Sequence, residues 1–188
     1  MRAARLLPIV LFVAGCASTS IVSQWRDPAV QSARFARLLV VAPSRDLAVR
    51  RSAEDELVRQ LGPDRAAPSY TVVRDDELVD RARLKQRAME LGFDGLLVFR
   101  IGRVEQQATW VPGTYWGPYY AIGGWPAWDP GYVQTNTVVH VETDVYSVLD
   151  DRLIWASRSR TYDPRSMHAL VDDVSKAVGK AMRKQGLL

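Results

Sequence analysis

The 188-residue chain has one cysteine, two histidines and no apolar run long enough to cross a bilayer. A single cysteine, Cys16, excludes an intrachain disulfide, so a folded domain here is held by its core alone. A transmembrane helix needs about 20 apolar residues, and the one hydrophobic leader, Leu6 to Ala14, falls well short. An excess of one charge sign is also lacking: 25 Lys and Arg stand against 21 Asp and Glu, and without Arg2 and Arg5 the balance is 23 − 21, or +2. That is too little to argue for nucleic acid as a partner. There is no Ser-His-Asp order, no phosphate-cradling glycine loop and no spare cysteine, so the enzyme classes that those motifs mark find no support.

What is present begins with the leader. Arg2 and Arg5 precede the apolar run, which ends in small residues, the layout of a cleaved export signal. Val13-Ala14-Gly15-Cys16 resembles the lipobox of bacterial lipoproteins. The resemblance implies cleavage before Cys16, with its thiol diacylated and the new amino terminus acylated, and several chains on one residue give stable attachment. Ala17 stands where enterobacterial lipoproteins kept at the inner membrane have aspartate, so the resemblance implies an outer-membrane anchor facing the periplasm. The chain is then divided into a signal peptide (1–15), a lipidated tether (16–34) and a single domain (35–188) with an aromatic Gly/Pro loop at 110–132. Ala17 to Gln24 is small and polar and is expected to be mobile; Trp25 either packs on the domain or lies at the headgroup level.

Within the domain, Leu38-Leu39-Val40-Val41 is a continuous apolar run before Pro43 and predicts a strand buried on both faces. A helix follows, from a capping box at Ser52 or from further back near Asp46, and Gly62-Pro63 ends it. Tyr70 to Val73 predicts a second strand. Asp75 or Asp76 then caps helical sequence to Leu91, in one piece or two, and Leu96 to Phe99 predicts a third strand that continues with Ile101 and Val104. Thr137 to Leu149 and Leu153 to Thr161 alternate, predicting a hairpin; a three-residue loop would set Asp144 opposite Arg158 and Glu142 opposite Arg160. Asp163-Pro164 is expected to start the last helix, whose apolar face runs through Met167, Leu170, Val171, Val174, Ala177, Val178 and Ala181. The fold class is α/β (α+β), order β-α-β-α-β-β-β-α, a mixed sheet with a C-terminal antiparallel hairpin and helices packed on it.

Ala88 to Val98, with Gly92-Phe93-Asp94-Gly95 at its centre, resembles the helix-Gly-x-Asp-strand segment of periplasmic α/β domains such as the TolB amino-terminal domain, CsgG and LpoB. Trp25-x-Asp27-Pro28, the Trp110 to Tyr115 turn, the aromatic insertion and Leu153-Ile154-Trp155 resemble small Gram-negative envelope lipoproteins. These resemblances imply fold and location and bring no activity. The sequence shows no long alternating hairpin of the kind that crosses a membrane.

Trp110 to Tyr132 holds eight of the 17 aromatics, with five glycines and four prolines. Compact domains seldom carry so long a connection without periodicity unless it binds something. In one reading Trp110, Tyr115, Trp116, Tyr119, Tyr120, Trp125, Trp128 and Tyr132 bind an envelope protein or a second copy. In another the rings stack on cell-wall sugars or sit in the membrane interface; in the third the loop covers the sheet. A metal enzyme is the remaining alternative: His140, Glu142 and Asp144 alternate on one strand and so share a face, though Arg158 and Arg160 are available as plain ion-pair partners. The expectation is a non-catalytic lipoprotein without cofactor or metal, active in envelope assembly or maintenance.

Overall fold

In a computed structural model of the protein, residues 18–30, 33–78, 80–113 and 131–188 are described. The strands are β1 (Ser18–Arg26), β2 (Leu38–Val41), β3 (Ala66–Pro68), β4 (Gly95–Val111), β5 (Tyr132–Ser147) and β6 (Arg152–Tyr162); the helices are α1 (Leu47–Leu61), α2 (Asp75–Leu78), α3 (Arg81–Glu90) and α4 (Met167–Lys184). They form one mixed α/β domain on a six-stranded sheet of order β1-β6-β5-β4-β2-β3. β2 is parallel to β3 and β4, and the pairs β4–β5, β5–β6 and β6–β1 are antiparallel. All four side chains of β2 are buried, as the apolar run predicts.

The two sheet faces are covered unequally. Leu38, Val40, Leu97, Phe99, Val141, Val145 and Trp155 pack with Leu57 of α1 and Val174, Val178 and Met182 of α4 in the main core. On the other face Leu39 and Val41 meet Leu84, Ala88 and Phe93 in a smaller cluster. Further along that second face, His140, Glu142 and Asp144 of β5, Arg158 and Arg160 of β6, and Trp25 of β1 stay partly or largely exposed.

Two sequence motifs prove to be joints. Asp94 accepts the backbone N–H groups of Ala36 (2.7 Å) and Arg37 (2.9 Å), tying the chain that enters β2 to the chain that enters β4. Next to it Gly95 has no room for a side chain, since a Cβ there would stand 2.5 Å from Phe35 Cδ1 and 2.6 Å from Leu38 Cδ2. Asp27 accepts the N–H of Ala29 (2.8 Å), forms an ion pair with Arg152, and donates its own N–H to Ile154 (2.9 Å). The Trp-x-Asp-Pro motif thus pins the end of β1 to β6.

Several expectations are corrected. The part of the tether expected to be mobile is instead β1, a nine-residue edge strand on β6; it satisfies a row of backbone groups that β6 would otherwise leave open. The second strand is the three-residue β3, and Ser69–Thr71 forms a single 3-10 turn because Glu54 takes the Ser69 hydroxyl (2.7 Å) and the Tyr70 N–H (3.0 Å). Of the two starts open for α1, Asp46 is the one used, accepting from Ala48 and Val49. The last helix is capped by Ser166; Asp163, at φ +45°, accepts instead the Thr137 N–H (2.6 Å). The hairpin register differs by two residues, so Glu142 faces Arg158 and Asp144 faces Ala156, with a bulge at Val145/Tyr146. The shift keeps the faces, because the side-chain period is two. β4 and β5 form a long antiparallel pair of 17 and 16 residues, and β4 runs well beyond the Val104 expected to end it.

Candidate interaction arm and the open sheet face

β4 carries one extra residue against β5 between Ile101 and Val104, a bulge that bends and twists the ribbon. β2 leaves β4 after Val98, and β6 leaves β5 at Val138. From Glu105 and Val138 outwards only two strands continue among the described residues, paired through Gln106/Thr137, Ala108/Thr135 and Trp110/Val133 to Val111/Tyr132. Among those residues it is an arm with two free edges. Trp110 and Val133 lie on one of its faces, Val111 and Tyr132 on the other, and Trp110, Tyr132 and Val133 are each 58% exposed.

Charge is withheld from the whole region. Between Gln106 and Val139 the sequence has a single charged side chain, Asp129, in a chain in which charged residues make up 24%. The remaining polar positions of the arm, Gln106, Gln107, Thr109, Gln134, Thr135 and Asn136, are neutral amides and hydroxyls. At its end Gly131 has φ +76°, and a Cβ there would lie 2.5 Å from the Val111 carbonyl oxygen and 2.7 Å from the Gly113 nitrogen. The chain returns into β5 by an approach that only glycine permits.

Of the eight candidate aromatics, Trp110 and Tyr132 are therefore strand residues at the arm's outer end. Tyr115, Trp116, Tyr119, Tyr120, Trp125 and Trp128 lie outside the described residues, as does the lipidation candidate Cys16. The sequence reading missed the arm itself; the signal that marks it is the absence of charge.

His140, Glu142 and Asp144 do share one face, as the alternation predicts, but each faces a partner of its own. Asp144 is ion-paired with Arg100, and Glu142 Oε1 is 2.9 Å from Arg158. His140 Nε2 stands 3.6 Å from Glu105 Oε2, too far for a hydrogen bond. Among the described residues no three His, Cys, Asp or Glu side chains converge to hold a metal. Burial raises the pKa of Asp144 above the usual carboxylate range, and the largely exposed Arg100 offsets this only in part.

Asp144 gives a pH prediction. Its folded carboxyl takes up a proton more readily than the unfolded one, so its favourable contribution is complete at low pH and is lost as the pH rises through its folded pKa. Asp144→Asn should melt higher than the unaltered protein at pH 7, and the gap should close towards pH 4; thermal melts across that range check it.

Two clefts remain. One of about 470 Å³ lies between α1 and residues 69–76, lined by Arg50, Arg51, Tyr70 and Asp75. Its buried guanidinium, Arg50, is already bound to Glu54 (3.1 Å), Asp75 (2.5 Å) and Ser69 (3.1 Å). The other, about 360 Å³, lies under α3 against Leu96, Val98 and Tyr146, and its rim residues Arg81 and Lys85 pair with Asp151. Arg50, Arg81 and Lys85 are thus occupied by the fold, and Arg51 lies over the Tyr70 ring.

Fold and site together define a class: a mixed α/β domain with an uncharged two-stranded arm. No protein-family model matches the chain, and no curated protein does. Among solved structures it is similar to the PelC dodecamer from Paraburkholderia phytofirmans, at 14% identity and a TM-score of 0.50 over 91% of this chain and 99% of that one. Similar too is the lipoprotein GNA1162 from Neisseria meningitidis, at 14% identity and a TM-score of 0.42 over 79% of this chain and 99% of that one. At such identity the likeness to PelC shows a shared fold and nothing finer.

Proposed function

We propose that the chain is an envelope lipoprotein, anchored through Cys16 at the periplasmic face of the outer membrane, that acts in envelope assembly or maintenance by binding and not by catalysis. The observation that carries this reading is the arm. It spends 13 described strand and end positions, from Gln106 to Val111 and from Gly131 to Thr137, on a ribbon that adds nothing to the core. An isolated two-stranded ribbon is only marginally stable in water, and this one holds Trp110, Tyr132 and Val133 out from the domain. Such a construction is of use for contact. Against catalysis stand the ion pairs that hold Glu142 and Asp144 and the bonds that hold Arg50 in the cleft beside α1. Self-association is a second reading, favoured by the dodecamer that the similar PelC fold forms.

Because Glu105 faces Val138, an Asn-Gly turn can replace Gln106–Thr137 and close the ribbon at that pair. The shortened protein should melt within a few degrees of the full chain and lose the crosslinks that the full chain makes in the native envelope. Unchanged crosslinks, or failure of the shortened protein to fold, would count against this reading.

A further inference from the structure

Ser18 pairs with Tyr162, Tyr162 with Val138, and Val138 with Glu105. These four residues form one row across the sheet. β1 is antiparallel to β6, and β6 to β5, so β1 runs in the same direction as β5. Ser18, the first described residue, therefore stands at the end of the domain from which the arm projects, and chain length alone limits how far from it Cys16 can lie.

The distances are decisive. The arm continues for six further pairs, from Glu105/Val138 to Val111/Tyr132, about 20 Å at roughly 3.4 Å per residue. Cys16 is two residues before Ser18 and reaches at most about 7 Å beyond the row. Sideways, β5 is two strands from β1, about 10 Å. An acylated Cys16 must lie at the boundary between headgroups and hydrocarbon, and the headgroup layer is only about 5–8 Å deep on each side. An upright sheet would carry the arm's end about 13 Å past the anchor and into hydrocarbon, which its unpaired backbone groups do not enter, so the sheet tilts until that end rests in the headgroup layer.

We propose that the occupant of the arm is the lipid surface: its outer end, carrying Trp110, Val111, Tyr132 and Val133, sits in the headgroup layer beside the anchor. This rests on the lipid-anchor reading above. The chemistry of the end suits that depth. Trp and Tyr favour the headgroup level, charge is excluded from Gln106 to Val139 apart from Asp129, and the neutral amides and hydroxyls stay hydrated there. The two free edges fix the limit of entry, since unpaired backbone groups do not enter hydrocarbon. The arm lies in the interface and does not span.

The test uses the full lipidated chain in vesicles of phosphatidylethanolamine and phosphatidylglycerol, with an environment-sensitive dye on Val133→Cys or, as control, on Leu149→Cys. Leu149 is 71% exposed in the loop at the far end of the sheet. The acylated thiol of Cys16 does not react, so each variant takes one dye. Headgroup-level spin-labelled lipid should quench the Val133 dye at least about twofold and leave the Leu149 dye unchanged; a second substitution, Trp110→Asp, should abolish that quenching. Vesicles that carry the protein while leaving both dyes unquenched would overturn the membrane contact and leave the anchor intact. Dye uptake by Cys16 in the unaltered chain would overturn the anchor, and with it this proposal. A dye shift at Val133 that appears without vesicles and grows with protein concentration would assign the arm to a second copy and overturn the lipid contact.

Discussion

Replacing Glu54 with alanine is expected to destabilise the domain by about 3–5 kcal/mol, the scale found when one partner of a buried ion pair is removed. Glu54 is fully buried. Its Oε1 accepts from the Ala42 N–H (3.1 Å), Arg50 Nε (3.1 Å) and the Ser69 hydroxyl (2.7 Å), and its Oε2 from the Tyr70 N–H (3.0 Å). One carboxylate thus joins the end of β2, helix α1 and the turn after β3. Removing it leaves the Arg50 guanidinium, 4% exposed, with Asp75 and Ser69 only, and leaves two backbone donors without an acceptor, each costly when buried. Glu54→Gln keeps the shape and one acceptor oxygen but loses the charge, and should fall between alanine and the unaltered protein. Urea or thermal unfolding of the three proteins checks the order; equal stability of the alanine variant would show that the cluster is solvated and not a structural hub.

That hub also explains where the sequence misleads. Tyr70-Thr71-Val72-Val73 has the residue types of a strand, yet Glu54, 16 residues earlier than Tyr70, turns the chain, and no local pattern announces a partner at that distance. Glu54 itself is only a spacer in the capping box Ser52-Ala53-Glu54-Asp55, a pattern that gives no sign that its side chain is buried. β1 is illegible for a related reason. Its strand character depends on the open edge of β6, and Thr19, bonded through its hydroxyl to Thr161 at 2.7 Å, gives no apolar signal. By contrast β2 and α4 are legible because burial on both faces and burial of one helical stripe write themselves into the sequence as a continuous run and a 3.6-residue period.

The site follows the same division. The aromatic stretch is conspicuous, but Trp110 and Tyr132 at its two ends belong to strands. A ribbon exposed on both faces has no reason to alternate, so Gln106 to Val111 and Val133 to Asn136 carry none of the two-residue pattern by which strands are recognised. The shared face of His140, Glu142 and Asp144 is legible from period alone; that Arg100 would take Asp144 depends on the β4–β5 register, in which Arg100 lies opposite Glu142 and Val98 opposite Asp144.

Trp155 carries the second large expectation, a loss of about 3–5 kcal/mol on replacement with alanine, the usual scale for a buried tryptophan. In sequence it belongs to Leu153-Ile154-Trp155, part of the resemblance to envelope lipoproteins, where a tryptophan invites a binding role. In the fold it is fully buried, opposite Val145 on the core face of the sheet and in the same cluster as Leu170 and Val174 of α4. Its indole Nε1 has no hydrogen-bond partner among the described residues, and a buried unpaired donor costs about 1–3 kcal/mol. Two terms therefore oppose each other in Trp155→Phe: lost volume destabilises, and removal of the orphan N–H restores part of the loss. Phenylalanine should cost much less than alanine, and less than its missing ring volume alone would suggest. Melting temperatures of Trp155→Phe and Trp155→Ala separate the terms. If the two variants are equally unstable, the N–H is satisfied and the indole has a polar partner; if neither is unstable, Trp155 is not the centre of the core. Because Trp155 lies far inside the sheet from Trp110, neither change should alter quenching of a dye at Val133, which separates the tryptophan that builds the domain from the one that the arm presents.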